Sequence, residues 1–465
     1  MRIPVWGTAM AGLEVQVAIA GKSVIARSDE GGQWRAELPE MTTGGPFELS
    51  ISAGKATRVC HDVLVGEVWL CSGQSNMDFT LAKTAKRSFS GVTDWEHEVA
   101  VANHPQLRMF TAEWAMNEFP QREVPGKWTV CSPLAAGDFS AVAYYFGREI
   151  QGALKVPVGL VTCAYGASTI EAWMRQGAVE AHPQFKELMQ SFAKKNLEFR
   201  DHPKMFLEYG NALAAWKSGK HPKNPDPFQD QHSPTVLHNG MIAPIVPYAI
   251  RGAIWYQGES NLNTRKLYSD LQKTLIEDWR HLWGNPTLPF YFVQLAPTKA
   301  PQADPSGGQL PEMREAQAKA LTIPNTGMAV TLDIGDEKDV HPRNKRDVGN
   351  RLARIALSKT YGKKIEGSGP IFHDGSIEGG KIRIRFDHVG GGLVTKGGGL
   401  KRFAIAGEDR KFVWADAVIE GDQVVVSNKE VTRPAFIRYA WSENPMGANL
   451  FNAEGLPAAP FRTDP

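Results

Sequence analysis

Short apolar runs alternate with helix-compatible stretches from about residue 67 to residue 360, and this alternation constrains the fold more than any other feature. Strands are predicted at residues 68–71, 159–163, 252–256, 290–295 and 328–332, and helices at residues 141–151, 267–283 and 311–321. Strands that alternate with helices form βαβ units, which build a parallel sheet covered by helices. Because ligands bind outside the carboxyl ends of the strands in such sheets, the residues directly after each strand are the candidates for function.

The two ends of the chain have a different pattern. Residues 13–19 and 381–386 alternate apolar and polar side chains, as half-buried strands do. The sequence therefore predicts three domains, with both outer ones resembling β-sandwiches: an N-terminal β domain at residues 1–66, an α/β domain at residues 67–364 and a C-terminal β domain at residues 365–465. Two segments, residues 175–235 and 297–313, are predicted to lie over the α/β sheet and to shape its pocket.

Charge and cysteine content narrow the class of protein. The net charge is +2, from 52 basic and 50 acidic residues, so neither a nucleic acid nor an anionic membrane is expected as a partner. No uncharged apolar run approaches the roughly 18 residues that span a bilayer. The cysteines at positions 60, 71, 131 and 163 lack metal-ligand spacing, so no metal is expected. Cys71 and Cys163 lie in predicted strands, which favours buried free thiols.

A serine follows the first predicted strand directly. Residues 68–72 run into Gly73, Gln74 and Ser75, and a helix-compatible stretch follows. A serine on such a strand-to-helix turn is presented at the sheet edge, where backbone N–H groups and the helix dipole favour a developing oxyanion. Ser75 is therefore a candidate nucleophile, and the alternative is an ordinary helix N-cap.

Polar or small residues also follow the second and third strands. Gly166 would allow the backbone to approach a substrate carbonyl and to offer its N–H, unless it belongs to an ordinary turn. The Gln257 side chain is a candidate donor to the same oxyanion. Glu259 is either an acid in the site or a partner for nearby backbone donors.

A histidine preceded by several carboxylates follows the fifth strand. A catalytic serine needs a base, and that base needs an acid that fixes its tautomer and stabilises the imidazolium. His341 is the candidate base, and Asp339 is close enough in sequence to pair with it on one loop. Asp336 and Glu337 are the alternative acids.

Four motifs closely resemble those of the sialate O-acetylesterase family, which belongs to the SGNH hydrolases. They are residues 71–77 (CSGQSNM), 238–244 (HNGMIAP), 255–261 (WYQGESN) and 339–342 (DVHP). The resemblance implies a flavodoxin-like parallel-sheet catalytic domain of the SGNH type that removes acetyl groups from sugars through an acetyl-serine, without a cofactor.

The resemblance also implies a role for each site residue. Ser75 would be the nucleophile, His341 the general base and Asp339 the acid. The backbone N–H groups of Ser75 and Gly166, with the Gln257 side chain, would form the oxyanion hole. Many SGNH enzymes place the acid three residues before the histidine, so Asp336 and Glu337 stay open as alternatives to Asp339.

The sugar is less constrained than the reaction. Aromatic faces suit the apolar faces of pyranose rings, and an arginine can pair with the carboxylate of a sialic acid. The candidate substrate-binding residues are Glu259, Trp173, Arg175, Trp255 and Trp441. Acetylated sialic acid and acetylated plant polysaccharide fragments both remain open as substrates, and the oligomeric state is not predicted.

Two other functions compete with this hypothesis. One is a non-catalytic carbohydrate-binding protein with a hydrolase-like core. The other is a short-chain lipase-like esterase, which would be expected to carry a G-x-S-x-G turn, whereas residues 73–77 read GQSNM.

The first residues of the chain bear on the cellular location of the protein. Members of the family usually carry a leader and slightly more β sequence before a Pro-Val-Trp-Gly segment, which stands here at residues 4–7. The resemblance therefore implies that the native protein is secreted or periplasmic and that its leader is absent from this sequence.

Overall fold

The computed structural model describes residues 1–85, 87–201, 210, 211, 214, 226–305 and 307–465. The N-terminal strands are β1 (Ile3–Thr8), β2 (Glu14–Ile19), β3 (Lys22–Arg27), β4 (Gln33–Leu38), β5 (Gly44–Ala53) and β6 (Ala56–Val65). β1 pairs with β4, and the other four form an antiparallel sheet in the order β3-β2-β5-β6. Alternate side chains of β2 and β4, including Val15, Val17 and Trp34, enclose a small core of their own.

A seven-stranded sheet forms the centre of the molecule. Its strands are β7 (Glu67–Gly73), β8 (His104–Thr111), β9 (Trp128–Cys131), β10 (Val158–Ala164), β11 (Gly252–Tyr256), β12 (Phe290–Val293) and β13 (Thr326–Ala329). They lie in the order β13-β12-β11-β7-β10-β8-β9, and every pair is parallel except β8 with β9. The prediction of a parallel sheet is confirmed, and β8 and β9 extend it beyond the five strands predicted.

The strand order places β7 between β10 and β11. The carboxyl ends of these three strands therefore meet at the middle of one sheet edge, where the candidate residues were expected. The chain makes its longest excursion from the sheet between β10 and β11, over residues 165–251.

Helices cover the sheet. They are Ser75–Asp78, Trp95–Ala100, Ala141–Leu154, Gln176–Glu180, Lys186–Asp201, Arg265–Leu282, Gln309–Ala318 and Lys345–Lys359. Ser140 and Asn344 cap two of the longer helices, because each side chain accepts a hydrogen bond from a first-turn N–H. These two helices pack closely, since a Cβ at Gly349 would lie only 2.6 Å from the Cβ of Tyr145.

Short turns of tighter or wider helix complete the central region. The 3-10 turns are Ala136–Asp138, Ile170–Trp173, Pro183–Phe185, Pro227–Gln229, Glu259–Thr264 and Lys319–Thr322, and residues His238–Ile242 form a π-helical turn. Among the residues described, no helix is both long and apolar enough to cross a bilayer.

The C-terminal region is again β. Its strands are β14 (Ile371–Glu378), β15 (Lys381–Asp387), β16 (Leu393–Thr395), β17 (Phe403–Ala406), β18 (Val413–Trp414), β19 (Asp416–Glu420), β20 (Gln423–Ser427), β21 (Phe436–Tyr439), β22 (Leu450–Asn452) and β23 (Phe461–Arg462). They form two four-stranded sheets, β14-β15-β20-β19 and β18-β17-β21-β23, and one two-stranded sheet, β16-β22.

The C-terminal sheets share one continuous hydrophobic core with the central sheet, whereas the N-terminal strands enclose a separate core. The fully buried Arg314 connects the two regions. Its guanidinium donates to the carbonyl of Leu295 at 2.8 Å and to that of Ser442, also at 2.8 Å. The domain boundaries predicted after residues 66 and 364 stay predictions.

The two segments predicted to lie over the sheet are described in part. Residues 202–209, 212, 213 and 215–225 of the first, and residue 306 of the second, lie outside the described residues. Cys71, Cys131 and Cys163 are free and buried, and Cys60 is free and partly buried. The prediction of buried free thiols at Cys71 and Cys163 is therefore confirmed.

Candidate active site

The turn after β7 holds Ser75 at the sheet edge. Gly73 ends the strand with a φ of +141°, and a Cβ there would lie 2.1 Å from the carbonyl oxygen of Tyr256 on the neighbouring strand. This position therefore needs glycine. The Gln74 N–H donates to the same Tyr256 carbonyl at 3.0 Å, and the chain then turns into the helix Ser75–Asp78. Ser75 is thus the first helical residue and is only 6% exposed.

The loop after β13 brings His341 and Asp339 to this serine. His341 Nε2 lies 2.8 Å from Ser75 Oγ, and His341 Nδ1 lies 2.9 Å from Asp339 Oδ1. The same carboxylate oxygen also accepts a hydrogen bond from the backbone N–H of His341 at 2.9 Å. This second hydrogen bond fixes the Asp339 carboxylate relative to His341. Asp336 is engaged elsewhere, because its carboxylate accepts the N–H of Lys338. The structure therefore places Asp339, among the three candidate acids, against the histidine.

The surroundings of His341 keep its imidazole neutral. Burial lowers the pKa of His341, and the positive charge of Lys345 lowers it further, while Asp339 opposes both effects. The Phe89 ring stacks on the imidazole at a centroid distance of 5.2 Å and covers one of its faces. A neutral imidazole whose Nδ1 faces a carboxylate carries its proton there and leaves Nε2 free to accept one.

Asn76, the residue after the serine, forms a buried network that the sequence did not reveal. Its amide nitrogen donates to Glu259 Oε1 at 2.6 Å and to the carbonyl of Val340 at 2.9 Å. Its amide oxygen accepts a hydrogen bond from Lys345 Nζ. One side chain therefore links the nucleophile's helix to the loop after β11, to the histidine loop and to the next helix.

This network contains two groups of opposite charge, Lys345, which is fully buried, and Glu259, which is partly exposed. Burial lowers the pKa of Lys345 to about 7 and raises that of Glu259, and each group partly offsets the shift of the other. Lys345 Nζ also lies 4.6 Å from the centroid of the Phe79 ring and 5.5 Å from that of Tyr256, where cation–π attraction stabilises its charge. Glu259 therefore pairs with the Asn76 side chain, which was not among the roles predicted for it, and its predicted roles as an acid in the site or as a substrate-binding residue stay predictions.

Gly166 lies beside the nucleophile as expected. The N–H of the preceding residue, Tyr165, donates to the Gly73 carbonyl at 3.0 Å and fixes the turn after β10. A Cβ at Gly166 would lie 3.8 Å from the Cβ of Ser75. Ser75 itself opens its helix, so its N–H has no acceptor within that helix. Gly166 and Ser75 are therefore neighbours across the ends of β10 and β7, and their shared action on one substrate carbonyl stays a prediction.

Gln257 differs from its expected role. Its side chain is fully buried, and its amide nitrogen donates to the carbonyl of Ser168 at 3.0 Å and to Asn261 Oδ1 at 2.7 Å. Its amide oxygen accepts from the Tyr268 hydroxyl at 2.8 Å. Both amide hydrogens are thereby used inside the protein, so we correct the prediction that Gln257 donates to an oxyanion at Ser75.

Gln74 is held by its amide oxygen, whereas Gln257 is held by its amide nitrogen as well. Its amide oxygen accepts from the backbone N–H groups of Gly258, at 3.2 Å, and Ser260, at 3.4 Å. The oxygen end is therefore fixed, and the amide nitrogen is the end left for other partners. Gln74 immediately precedes Ser75, and the sequence motif contained it without indicating this role.

The tryptophans expected in a sugar site are core residues instead. Trp173 is fully buried, and its indole donates to Ser168 Oγ at 3.0 Å. Trp255 is also buried and packs edge-on against Trp173 and Trp279. Trp441 is buried beneath Arg462 in the C-terminal region. Their positions on strands and turns that face the core explain the difference, because periodicity shows that a side chain is buried without showing what covers it.

Arg175 is exposed in part but its charge is already paired. Its Nε lies 2.6 Å from Asp278 Oδ1, and its backbone N–H donates to the second oxygen of the same carboxylate at 2.9 Å. The side chain borders a cavity of about 820 Å³ that His238 also lines. Asp278 engages only the Nε of the guanidinium, so the role of Arg175 in binding a sialic acid carboxylate stays a prediction.

The described part of the chain contains no group of three or more His, Cys, Asp or Glu side chains arranged to hold a metal ion.

Comparison with known proteins places these residues in a family. Residues 65–200 and 210–358 match the family model described as carbohydrate esterase, sialic acid-specific acetylesterase. A solved structure of a carbohydrate acetylesterase from Xanthomonas citri superposes with a TM-score of 0.85 at 36% identity, covering 100% of this chain and 96% of that one.

Two mammalian relatives cover much of the chain as well. Sialate O-acetylesterase from Mus musculus is 28% identical over 519 residues, covering 98% of this chain and 90% of the mouse protein. The protein of the same name from Pongo abelii is 30% identical over 396 residues, covering 77% and 68% of the two chains.

Proposed function

The chain belongs to the sialic acid-specific acetylesterase family of carbohydrate esterases, and we propose that it hydrolyses acetyl esters on sugars with Ser75 as its nucleophile. One observation carries the proposal: Ser75 Oγ lies 2.8 Å from His341 Nε2, whose other ring nitrogen faces Asp339. This is the geometry of an activated serine. The family match includes all three residues, and the relatives named above are acetylesterases.

The first half of the reaction forms an acetyl-enzyme. Ser75 Oγ attacks the carbonyl carbon of the acetyl ester while His341 Nε2 takes the hydroxyl proton. The tetrahedral intermediate then collapses, the bond to the sugar oxygen breaks, and His341 returns the proton to that oxygen. The sugar leaves with a free hydroxyl and the acetyl group stays on Ser75.

The second half repeats these steps with water. His341 takes a proton from water, whose oxygen attacks the acetyl carbonyl, and the bond to Ser75 Oγ breaks. Acetate leaves and Ser75 regains its proton from His341. Asp339 stabilises the imidazolium that forms in both halves and holds the ring in the tautomer that presents Nε2 to the serine.

The backbone N–H groups of Ser75 and Gly166 stabilise the oxyanion in this scheme. Each donor directed at the developing charge contributes about 3–4 kcal/mol, by comparison with known oxyanion holes. The Gln74 amide nitrogen is the side-chain donor that best replaces Gln257, because its amide oxygen is already held by backbone groups.

The proposal also covers the type of domain that each sheet forms. We infer that the central sheet is an SGNH-type catalytic domain and that the outer sheets form two β-sandwich-like domains. The antiparallel pairing of the N-terminal strands around their own core supports this view of the N-terminal part.

Acetate release by the wild type and by Ser75→Ala tests the function. The substrates are 4-nitrophenyl acetate, acetylated xylo-oligosaccharides and 9-O-acetyl sialic acid. We expect the wild type to release acetate and Ser75→Ala to lose at least about 10³-fold in kcat. Ser72→Ala is the matched control, because Ser72 is also buried, at the end of β7, and has no role in the scheme.

Other outcomes would support the competing functions. Equal acetate release by the wild type and Ser75→Ala would rule out the serine mechanism. Binding of glycans without hydrolysis would indicate a carbohydrate-binding protein, and faster hydrolysis of a long-chain 4-nitrophenyl ester than of the acetate would indicate a lipase-like enzyme.

A further inference from the structure

Trp114 is a large aromatic residue that lies on the surface next to the candidate site. It is 49% exposed, although the loop that carries it is firmly attached to the protein. The N–H of Ala112 donates to the Thr162 carbonyl at 2.9 Å, and that of Asn117 donates to the Val236 carbonyl at 3.1 Å. About half of the indole is thus open to solvent on a fixed loop, and contiguous aromatic surface beside a site is where ligands bind.

The turn after β10 connects Trp114 to the nucleophile, through Tyr165 and then Gly166. Its ring lies 5.3 Å from that of Tyr165, and Tyr165 directly precedes Gly166. A Cβ on Gly166 would lie 3.8 Å from the Cβ of Ser75 and 3.4 Å from the ring of Phe89. We name the three rings of Phe89, Trp114 and Tyr165 the aromatic platform; Phe89 stacks on His341, and Tyr165 joins Trp114 to the turn that carries Gly166.

A second connection runs through an ion pair. The Arg87 guanidinium lies 4.9 Å from the centroid of the Trp114 ring and donates to Asp78 Oδ1 at 2.7 Å. It also donates to the backbone carbonyl of Asp78 at 2.7 Å, and Asp78 ends the short helix that Ser75 begins. Trp114 is therefore held at a fixed place relative to the nucleophile.

The charge of this ion pair is balanced above about pH 7. Burial raises the pKa of Asp78 to about 7, although Arg87 acts in the opposite direction. Above that pH the carboxylate is ionised and offsets the charge of the guanidinium that lies against the Trp114 ring.

We propose that the aromatic platform binds a pyranose ring of the acetylated glycan, with Trp114 stacking on the apolar face of the sugar while the acetyl group reaches Ser75. This inference rests on the proposed function and adds the substrate-binding surface to it. The recognised chemistry is the C–H face of a pyranose, which neutral plant sugars and sialic acid both have, and stacking on an exposed indole suits that face.

Trp114→Ala tests the platform through a comparison of substrates. A small ester such as 4-nitrophenyl acetate meets Ser75 without a sugar ring, so its kcat/KM should stay within about twofold of the wild type. For acetylated xylo-oligosaccharides or 9-O-acetyl sialic acid we expect kcat/KM to fall roughly tenfold, mainly through KM, because about 1.4 kcal/mol of stacking corresponds to a factor of ten. Trp114→Phe should recover part of the loss.

Trp128→Ala is the matched control, because Trp128 is similarly exposed but packs against Gly159 at the amino end of β10, the end of that strand away from Ser75. Trp128→Ala should leave kcat/KM on both glycan substrates unchanged. The melting temperature of each variant is measured alongside, and if Trp114→Ala does not fold, Trp114→Phe provides the comparison.

The outcomes separate the platform from the function on which it rests. A selective loss on the xylo-oligosaccharides assigns the platform to neutral sugars, and a selective loss on the sialic acid assigns it to sialosides. Equal kcat/KM for Trp114→Ala and the wild type on both glycans, or an equal loss on the glycans and on 4-nitrophenyl acetate, would overturn the platform alone. A wild type that hydrolyses neither glycan would overturn the proposed function and the platform together.

Discussion

At the scale of single residues, Asn76 has the widest connections in the site. It shares a helix with Ser75, holds the carbonyl of Val340 beside the histidine, and joins the opposite charges of Glu259 and Lys345. A buried charge without such a partner is strongly destabilising, so the network costs stability unless all its members are satisfied. These contacts indicate that Asn76 positions the loop that carries His341.

The charge of Lys345 should be visible in the pH dependence of the reaction. Lys345 lowers the pKa of His341, so Lys345→Met should raise that pKa and the imidazole should become protonated at a higher pH. The base must be neutral to act, and the acidic limb of the profile should therefore move to higher pH. Because the pKa of Lys345 is itself about 7, its charge is present below that pH, where the acidic limb lies.

The measurement is kcat/KM on 4-nitrophenyl acetate against pH. Lys359→Met is the control, because Lys359 lies at the far end of the same helix and donates to the Thr326 carbonyl instead. An acidic limb that stays in place or moves to lower pH in Lys345→Met would contradict the role given to its charge.

The sequence indicated the candidate reacting residues because they lie shortly after predicted strands. Ser75, Gly166 and His341 were all found in this way, and the structure brings them together. Lys345 was missed because its partner Asn76 is 269 residues away, and no local pattern shows that a lysine at the start of a helix is buried. The role expected of Gln257 failed for a similar reason, since the groups that occupy its amide come from other turns.

At the scale of elements, the turn after β7 determines where the nucleophile stands. A Cβ at Gly73 would overlap the Tyr256 carbonyl, and the φ of +141° is unfavourable for any residue that has a Cβ. Gly73→Ala must therefore push β7 and β11 apart or distort the turn. We expect it to lower the free energy of unfolding by about 2–5 kcal/mol and to reduce kcat in the protein that still folds.

Urea unfolding and acetate release measure the two effects of Gly73→Ala. Gly152→Ala is the control, because a Cβ at Gly152 in the helix Ala141–Leu154 meets no atom within 4 Å and should stabilise the helix slightly. A stability for Gly73→Ala within about 0.5 kcal/mol of the wild type would show that the turn is less constrained than its geometry implies.

Strands were predicted correctly where the sequence contains a clear run of apolar residues. Five fully or mainly apolar runs became β7, β10, β11, β12 and β13, whereas β8 and β9 were missed. β8 has buried and exposed residues without clean alternation, and it includes a proline near its start. β9 has four residues, three of which are at least partly exposed, so both strands carry a weaker apolar pattern than the five that were predicted.

At the scale of the whole molecule, the buried hydrophobic residues that the structure describes form two cores instead of three. The C-terminal sheets continue the core of the central sheet, and the N-terminal strands have a core of their own. Periodicity predicted that all three regions fold, but it cannot show which buried faces meet. The shared core implies that the C-terminal sheets and the active site unfold together.

Calorimetry of two matched variants tests this division. Ile19 is buried in the N-terminal core and Ile384 in the shared core, and replacing either by alanine should cost about 2–5 kcal/mol in its own core. We expect Ile384→Ala to lower the temperature at which esterase activity is lost, and Ile19→Ala to shift a separate transition without changing that temperature. A single transition that both variants shift equally would contradict the division.

The long excursion between β10 and β11 has a consequence for how the family diversifies. Its two ends enter strands that flank β7, so they are only about 10 Å apart, whatever the length of chain between them. Doubling the length of a flexible connection adds only about 0.6 kcal/mol of closure entropy. Insertions and deletions that leave Gly166 and residues 238–244 in place should therefore be tolerated in this interval, whereas the tightly constrained turn at Gly73 requires both its length and its glycine.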